Sequence, residues 1–372
     1  MMKGPLLIGM ILLPAWLLAQ PIISLDNFPR SGDTLYYLTD ELPERIAVSP
    51  PGPDQKWNYT TLQAPFIEFE VVQPASSGRS YNDYPASDLV LRSSRGLETY
   101  LQISGTTVIL VGQAGTLFKD LRKLKGNMKW TGELPEVVAN LKYEDDVDFN
   151  AIGEIKLGRL QIPLTYSDAI GGDPDSILIR RQVARRITAD AWGQLLLPGG
   201  LFDVLRVRYV DEIATTVSAR YGRHWQDVTN RLSRELLGAT REISYRFFSP
   251  QGQQVVTLYT DEGEIVQHVE YMAPRAQAGF YQRPRDGQWL YAFPNPAITN
   301  VRFKFLDIAP GEYSIRFYNI LGKTLFDRRY LINGSKTVQI DISHLDKGTY
   351  LYSLLDKNGN KLITKRLIIV KP

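Results

Sequence analysis

Period-two alternation of apolar and polar residues is the feature that most constrains how this 372-residue chain can fold. Near the C-terminus, Val301, Phe303 and Phe305 are separated by single charged residues. Because successive side chains of a β-strand point to opposite faces, this spacing predicts strands that are buried on one side. Helical spacing is confined to two short stretches, residues 117–124 and 225–237. The sequence therefore predicts an all-β fold.

The N-terminus has the pattern of a signal peptide. Lys3 precedes an apolar run, residues 5–18, that is too short for a stable membrane-spanning helix, and the small residue Ala19 suits cleavage. We expect residues 1–19 to be removed and the mature chain, which lacks another such run, to be exported through the periplasm without a transmembrane segment. The absence of cysteine excludes lipid attachment to cysteine, disulfides and thiolate chemistry.

Charge divides the chain into two parts. Residues 289–372 carry a net charge of +7, whereas residues 20–288 carry −5. A basic C-terminal region indicates either an anionic partner or a solvated basic sheet face. Nucleic acid is not expected as that partner after export.

The C-terminal region has the strand and turn pattern of a small β-sandwich. Six strands are predicted after Asn300, and a seventh is predicted over residues 289–292. Hairpin turns are predicted at residues 319–323, 332–336 and 356–360, where glycine follows Asn or Leu. The side chains expected to face the core of this sandwich are Phe303, Ile315, Phe317 and Tyr350.

Four motifs follow one another in this region. They are "FPNP" at 293–296, "YNILG" at 318–322, "DISHLDKGTY" at 341–350 and a lysine-bearing strand at 365–371. In this order they resemble the type A C-terminal sorting domain of the type IX secretion system of Bacteroidota. Phe293 and His344 depart from the Tyr and the Asn or Gly that are common there. The motif residues are Pro294, Asn295, Pro296, Asn319, Gly322, Asp341, Leu345, Gly348, Tyr350 and Lys365.

The resemblance implies a function in export for residues 289–372. They would form an Ig-like β-sandwich that the outer-membrane translocon recognises and that a sortase-like peptidase removes. The exported part, or cargo, could then be joined to an anionic lipopolysaccharide. The protein would be secreted or held at the outer-membrane surface.

The cargo is predicted to be a large antiparallel β region over residues 20–272, forming one large or two small domains. A Pro-, Gly-, Ala- and Arg-rich linker, residues 273–288, follows it. Two stretches, around Trp57 and around Ala191, resemble recurring segments of uncharacterised secreted proteins of Bacteroidota, and that resemblance implies no activity.

A long hairpin over residues 176–213 is the clearest predicted element of the cargo. It should reverse at Pro198-Gly199-Gly200, with Leu205, Val207 and Tyr209 on one face. Since register depends on this turn, we expect Gly199 and Gly200 to be more constrained than Gly252 and Gly263.

The sequence provides no recognisable catalytic residue and predicts no cofactor. The three histidines, His224, His268 and His344, occur in no nucleophile or zinc-binding motif. Two acidic clusters contain oxygen ligands of the kind that calcium prefers, but neither has the spacing of a known calcium loop, so no metal site is predicted. These weak calcium candidates are Asp145, Asp146, Asp148, Asp173 and Asp175.

Two short motifs, Asp33-Thr34-Leu35 and Asp175-Ser176-Ile177, match the pattern of O-glycosylation in Bacteroidota, which makes Thr34 and Ser176 candidate acceptors. Taken together, the sequence favours a binding or structural module as cargo. The alternative is a secreted carboxylate-dependent hydrolase acting on polysaccharide. A cleft lined by opposed acids and by Trp57, Trp130 and Trp225 would favour that alternative.

Overall fold

The computed structural model describes residues 21–26, 28–117, 124–273 and 290–371. The predicted signal peptide lies outside these residues, as do nearly all of the predicted linker and the interior of the helical stretch at 117–124. The described residues form two antiparallel-dominated sheets and little helix, which confirms the all-β prediction. No helix among them is long and apolar enough to cross a membrane.

The first sheet contains fifteen strands and belongs to the cargo. They are β1 (Thr34–Asp40), β2 (Gly52–Asn58), β3 (Ile67–Pro74), β4 (Leu89–Ser93), β5 (Glu98–Ser104), β6 (Thr107–Leu117), β7 (Leu124–Gly132), β8 (Pro135–Val138), β9 (Asp146–Gly158), β10 (Ser176–Leu197), β11 (Gly200–Tyr221), β12 (His224–Asp227), β13 (Arg241–Phe248), β14 (Gln254–Thr260) and β15 (Val266–Met272).

Strand pairing closes this sheet into a barrel-like ring. From β11 the ring runs through β13, β14, β15, β1, β3, β4, β5, β6, β7, β9 and β10, and β10 pairs again with β11. The first and last of these cargo strands in the sequence, β1 and β15, are neighbours, with Leu38 opposite Tyr271. Strand β2 pairs in parallel with β10 outside the ring path. A closed sheet leaves few edges open to other chains.

The hairpin β10–β11 confirms the predicted long hairpin. Its 22-residue strands pair from Ser176 opposite Arg220 to Leu197 opposite Gly200, with a single register shift between Ala189 and Ala191. The predicted face of Leu205, Val207 and Tyr209 is buried, but so is most of the opposite face. The hairpin therefore lies between two cores instead of separating one core from solvent.

The two cores lie on opposite faces of β11. One contains Leu205, Val207 and Tyr209 together with residues of β6, β7, β9 and β10. The other contains Val204 and Val210, which pack with side chains of β2, β13 and β14. Strands β10 and β11 therefore contribute side chains to both cores of the cargo.

The predicted helix at 225–237 is mostly wrong. Its first residues form β12, Thr229–Arg231 form a single 3₁₀ turn, and only the last turn is α-helical, as α2 (Arg234–Leu237). A short helix that the sequence did not reveal, α1 (Leu164–Ile170), ends at Gly171, whose φ of +71° suits a left-handed cap. Tyr166 of α1 donates a hydrogen bond of 2.7 Å to the carbonyl of Leu236, so the two helices are joined through the core.

The second sheet is the predicted sorting domain. Its strands are β16 (Leu290–Phe293), β17 (Asn300–Asn319), β18 (Thr324–Asp341), β19 (Gly348–Asp356) and β20 (Lys361–Ile369). The prediction of six or seven strands was wrong in number because β17 and β18 each run through what looked like two strands. Register shifts between Phe305 and Gly311 bend β17, and residues 332–336, predicted as a turn, lie within β18.

Candidate functional site

A cavity of about 460 Å³ lies inside the closed sheet of the cargo. Strands β1, β3, β13, β14 and β15 line it on one side, and β4, β5, β6 and β8 line it on the other. Apolar side chains such as Leu101, Leu110 and Phe248 form much of its wall. Its charged members are Glu70, Glu136, Arg246 and Glu270. A concave cavity in which polar groups converge between apolar walls is a common form of small-molecule site.

Glu136 is the charged group at the centre of an arginine network. Arg246 donates a 2.8 Å hydrogen bond to its carboxylate, and Arg185 lies 3.4 Å from the other oxygen. Burial would raise the pKa of Glu136, but the two guanidinium groups outweigh burial and lower it to about 2. The Arg246 guanidinium also lies 4.0 Å from the ring centroid of Tyr209. Glu136 is therefore ionised and fully engaged.

Glu70 lies in the same cavity, but its charged neighbours are carboxylates, whereas those of Glu136 are arginines. Burial, together with the nearby carboxylates of Glu270, Glu68 and Glu136, raises its pKa to about 7. Within the described residues, no hydrogen bond or ion pair stabilises the charged form of Glu70. Its carboxyl group therefore changes protonation near neutral pH and can either donate or accept a hydrogen bond.

Strand register explains why these glutamates share one face. Glu68 and Glu70 are two residues apart on β3, and Glu68 lies opposite Tyr37 of β1. On the other side of β1, Glu270 of β15 lies opposite Thr39. Alternate residues of neighbouring strands point the same way, so Tyr37 lies between the glutamates of β3 and β15. No sequence motif links β3 and β15, and the site was missed for that reason.

Two tyrosines complete the polar part of the cavity. Burial raises the pKa values of Tyr37 and Tyr259, and Glu70 and Glu270 add to the effect on each. Both phenols therefore remain protonated at neutral pH and can donate hydrogen bonds. The cavity can thus bind a ligand through phenol donors, one titrating carboxyl group and an apolar wall.

The three tryptophans that were considered for a carbohydrate cleft do not line this cavity. Trp57 and Trp130 are buried in separate cores. Trp225 is 45% exposed on β12, with Arg220 and Lys156 over its ring. The aromatic side chains of the cavity are tyrosines and phenylalanines.

The predicted calcium candidates are not gathered into a metal site. Asp146 and Asp148 both pair with Arg186, while Asp173 pairs with Arg159. Asp145 and Asp175 accept backbone N–H groups of turns, from Lys142 and Gly222. Throughout the described ranges, no group of three or more His, Asp or Glu side chains is arranged to hold a metal ion.

The two candidate O-glycosylation residues differ in exposure. Thr34 begins β1 and is half-buried at the cavity. Ser176 is 2% exposed at the start of β10, so a glycan could be attached there only before the cargo folds.

The sorting-motif residues each have a place in the second sheet. The amide of Asn295, between Pro294 and Pro296, donates to the carbonyl of Arg366, and its oxygen accepts the N–H of Ile368. These bonds fix the "FPNP" segment against β20. The Lys365 ammonium, at 3.0 Å from the carbonyl of Leu290, fixes β20 to β16.

The remaining motif residues form turns and core. Asn319 accepts the N–H groups of Leu321 and Lys323, and Gly322 has a φ of +82° in the same turn. Asp341 accepts the N–H of Ser343, and Leu345 is buried in the core. Tyr350, two residues after Gly348, donates to the carbonyl of Asp346. Motif residues of the sorting domain therefore form hydrogen bonds within its turns and between its strands, and Leu345 contributes to its core.

Comparison with known families identifies the second sheet. Residues 291–370 match the secretion system C-terminal sorting domain. This match confirms the sorting-domain prediction, so the protein is exported by the type IX secretion system and is secreted or located at the cell surface.

Comparison of the whole chain with solved structures gives distant likenesses. An exported protein with a YmcC-like fold from Bacteroides fragilis is 11% identical, with a TM-score of 0.28 over 68% of this chain and 98% of that one. Dimeric latent PorU from Porphyromonas gingivalis is 12% identical, with a TM-score of 0.20 over 92% of this chain and 34% of that one. No curated protein matches the chain.

Proposed function

We propose that the cargo is a non-catalytic binding module that takes a small amphipathic ligand into its cavity. The observation that carries this proposal is the juxtaposition of Glu70, Tyr37 and Tyr259 with an apolar wall in a space of about 460 Å³. A half-buried carboxyl group that has no hydrogen-bond partner among the described residues suits a ligand that brings a hydrogen-bond donor. A ligand with an amine or hydroxyl head and an apolar body meets both requirements.

A binding assay with chemically matched probes tests this proposal. Octylamine, octanol and octanoate share one apolar body and differ in the head group. We expect octylamine and octanol to raise the melting temperature and to bind in calorimetry, whereas octanoate is repelled by the cavity glutamates. Glu70→Gln should weaken octylamine most. Glu154→Gln is the matched control, because this side chain lies on the solvent side of β9 and is 42% exposed. No binding of any probe, or equal binding to both variants, would exclude this cavity as the ligand site.

A carboxylate-dependent hydrolase is the second candidate function. It is supported by the opposite pKa shifts of Glu70 and Glu136 within one cavity, because an acid and a base of different strength are what hydrolysis requires. The two arginines on Glu136 count against it, since they hold both carboxylate oxygens. Release of reducing ends from soluble polysaccharide, abolished by Glu70→Gln, would establish this alternative.

We also propose an order of steps for export, from targeting to the periplasm to removal of the sorting domain. Residues 1–19 would direct the chain to the periplasm, and the translocon would recognise the sorting domain. A sortase-like peptidase would then cut within or near residues 273–288, and the cargo could be attached to anionic lipopolysaccharide. Mass spectrometry of the extracellular protein would reveal both termini and any attached glycolipid.

A further inference from the structure

One face of the sorting domain contacts the cargo. Arg302 and Lys304 of β17 alternate with the core residues Val301 and Phe303, so they point away from the sandwich core. Register places Thr337 and Gln339 of β18 beside them. We call Arg302, Lys304, Thr337 and Gln339 the docking face.

The central contact of the docking face is a buried ion pair. Arg302 donates a 2.8 Å hydrogen bond to Asp40 at the end of β1, and the side chains are 3% and 0% exposed. Asp40 also accepts the N–H groups of Leu42 and Gln63, at 2.9 and 2.8 Å. An ion pair removed from water needs such additional hydrogen bonds to be stable. Removing Arg302 would leave the Asp40 carboxylate buried without its opposite charge, whereas Arg302 also lies 3.6 Å from Glu44 and donates a 3.1 Å hydrogen bond to Gln339.

Further polar contacts surround this pair. Lys304 forms an ion pair with Glu41, and Thr337 donates a 2.7 Å hydrogen bond to the same carboxylate. Gln339 donates a 2.9 Å hydrogen bond to Glu44. The four side chains of the docking face thus meet the three acidic residues of the segment 40–44, which are Asp40, Glu41 and Glu44.

An aromatic contact extends the interface. Phe66 of the cargo and Tyr291 of β16 pack edge to face, with ring centroids 5.1 Å apart. A desolvated charge pair with polar groups and an aromatic contact around it is the composition of a specific protein interface.

We propose that the docking face is a built interaction surface whose partner is the acidic segment 40–44 of the folded cargo, so that the sorting domain is held on the cargo before it is removed. Asp40 is oriented by Gln63, which lies 23 residues away in the sequence. The acidic segment therefore acquires its binding geometry only when the first sheet has formed. Docking distinguishes a folded cargo from an unfolded one.

The proposal also accounts for part of the charge division of the chain. The anionic partner expected for the basic C-terminal region is present in the cargo itself, at Asp40, Glu41 and Glu44. While the domain is docked, the secretion machinery would contact its remaining surface.

A charge-swap experiment on the full mature chain tests the proposal. Lys304→Glu and Glu41→Lys each place like charges together, so each should undock the domain and increase the radius of gyration measured by small-angle X-ray scattering. The double variant restores an opposite pair and should return the radius to the wild-type value. Arg180→Glu, which breaks an exposed cargo ion pair, is the control. Wild-type radii for both single variants, or no recovery in the double variant, would overturn the proposal.

A cross-linking experiment remains informative if a charge variant fails to fold. The chain contains no cysteine, so Glu44→Cys with Gln339→Cys introduces a unique thiol pair. With oxidised glutathione as the oxidant, the two thiols should form a disulfide and release two reduced glutathiones, giving a mobility shift on a non-reducing gel. Glu44→Cys with Leu321→Cys, at a position 87% exposed, should form none. Equal cross-linking of the two pairs, or none in the first, would contradict docking.

Discussion

At the scale of the residue, Gly252 shows how a contact with a residue distant in sequence can restrict which amino acid fits at a position. We expected Gly199 and Gly200 to be more constrained, but a Cβ on Gly200 would meet only the Phe202 ring at 4.0 Å. Gly252 has a φ of +80°, and a Cβ there would lie 1.8 Å from the carbonyl oxygen of Ser24. Between Gly252 and Gly200 the expected order is therefore reversed, although Gly200 also has a positive φ, of +143°. Sequence could not reveal this because Ser24 is far from Gly252 along the chain.

Replacing Gly252 by alanine should destabilise the cargo. Positive φ and the collision with a backbone carbonyl together should lower the free energy of unfolding by more than about 2 kcal/mol. Gly263→Ala is the matched control, because its nearest neighbour is the side chain of Asp261 at 3.4 Å. Denaturant midpoints measure the difference. Equal midpoints would mean that the segment around Ser24 moves aside at little cost.

Glu70 should make cargo stability depend on pH. Its pKa of about 7 in the folded state exceeds the ordinary value of 4.5, so the folded protein holds this proton more tightly than the unfolded chain. The resulting stabilisation is complete below about pH 4.5 and is lost as pH rises through about 7, by up to about 3 kcal/mol.

Glu70→Gln should remove that dependence. Compared with the wild type, this variant should lose less stability between about pH 5 and about pH 8 in denaturant unfolding. Glu154→Gln, an exposed carboxylate paired with Arg180, should follow the wild type at both values. Parallel curves for all three proteins would show that Glu70 ionises normally. The carboxylates that face Glu70 and help to raise its pKa are those of Glu270, Glu68 and Glu136.

At the scale of the element, period-two patterns predicted most strands correctly, including β10–β11 and the β13–β15 meander. The failures have physical causes. Trp225 to Leu237 shows helical spacing, but pairing of His224–Asp227 with β11 outweighs it. In β18, Gly334 pairs with Ile308 at a register shift, where the sequence indicated a turn. Local patterns cannot show which strands a segment pairs with.

Because local patterns do not reveal strand pairing, the sequence predicted the sorting-motif residues but not the cavity. The sorting-motif residues lie close together in sequence, so their order was sufficient to recognise them. The cavity instead combines Glu70, Glu136, Arg246 and Glu270, which come from four separate strands. Only the closed sheet brings them together.

Phe317 provides a test of the sorting-domain core at this scale. It is fully buried in β17 and packs against Phe326 and Phe303, with centroids 4.4 and 5.7 Å away. Phe317→Ala should lower the stability of the second sheet by about 3 to 5 kcal/mol. Hydrogen exchange of β17 and β19 amides in the full chain measures this loss. Leu321→Ala, at an exposed turn, is the control, and similar exchange in the two variants would place Phe317 outside the core.

At the scale of the whole molecule, the sorting domain determines where the protein goes. Deleting residues 289–372 should leave the cargo folded but retained in the periplasm, since the domain that matches the sorting family is gone. Immunoblots of periplasmic and surface fractions measure this outcome. A truncated protein that reaches the surface in normal amount would show that another part of the chain directs export.

The pairing of β1 with β15 also sets an order of events in time. Leu38 and Tyr271 are neighbours in the sheet although most of the cargo separates them in sequence. Contacts between such distant residues slow folding, because a long chain must be ordered before they form. A ribosome would have to finish β15 before the ring could close. Folding must therefore follow synthesis, which leaves the unfinished chain available for transport across the first membrane in an extended form.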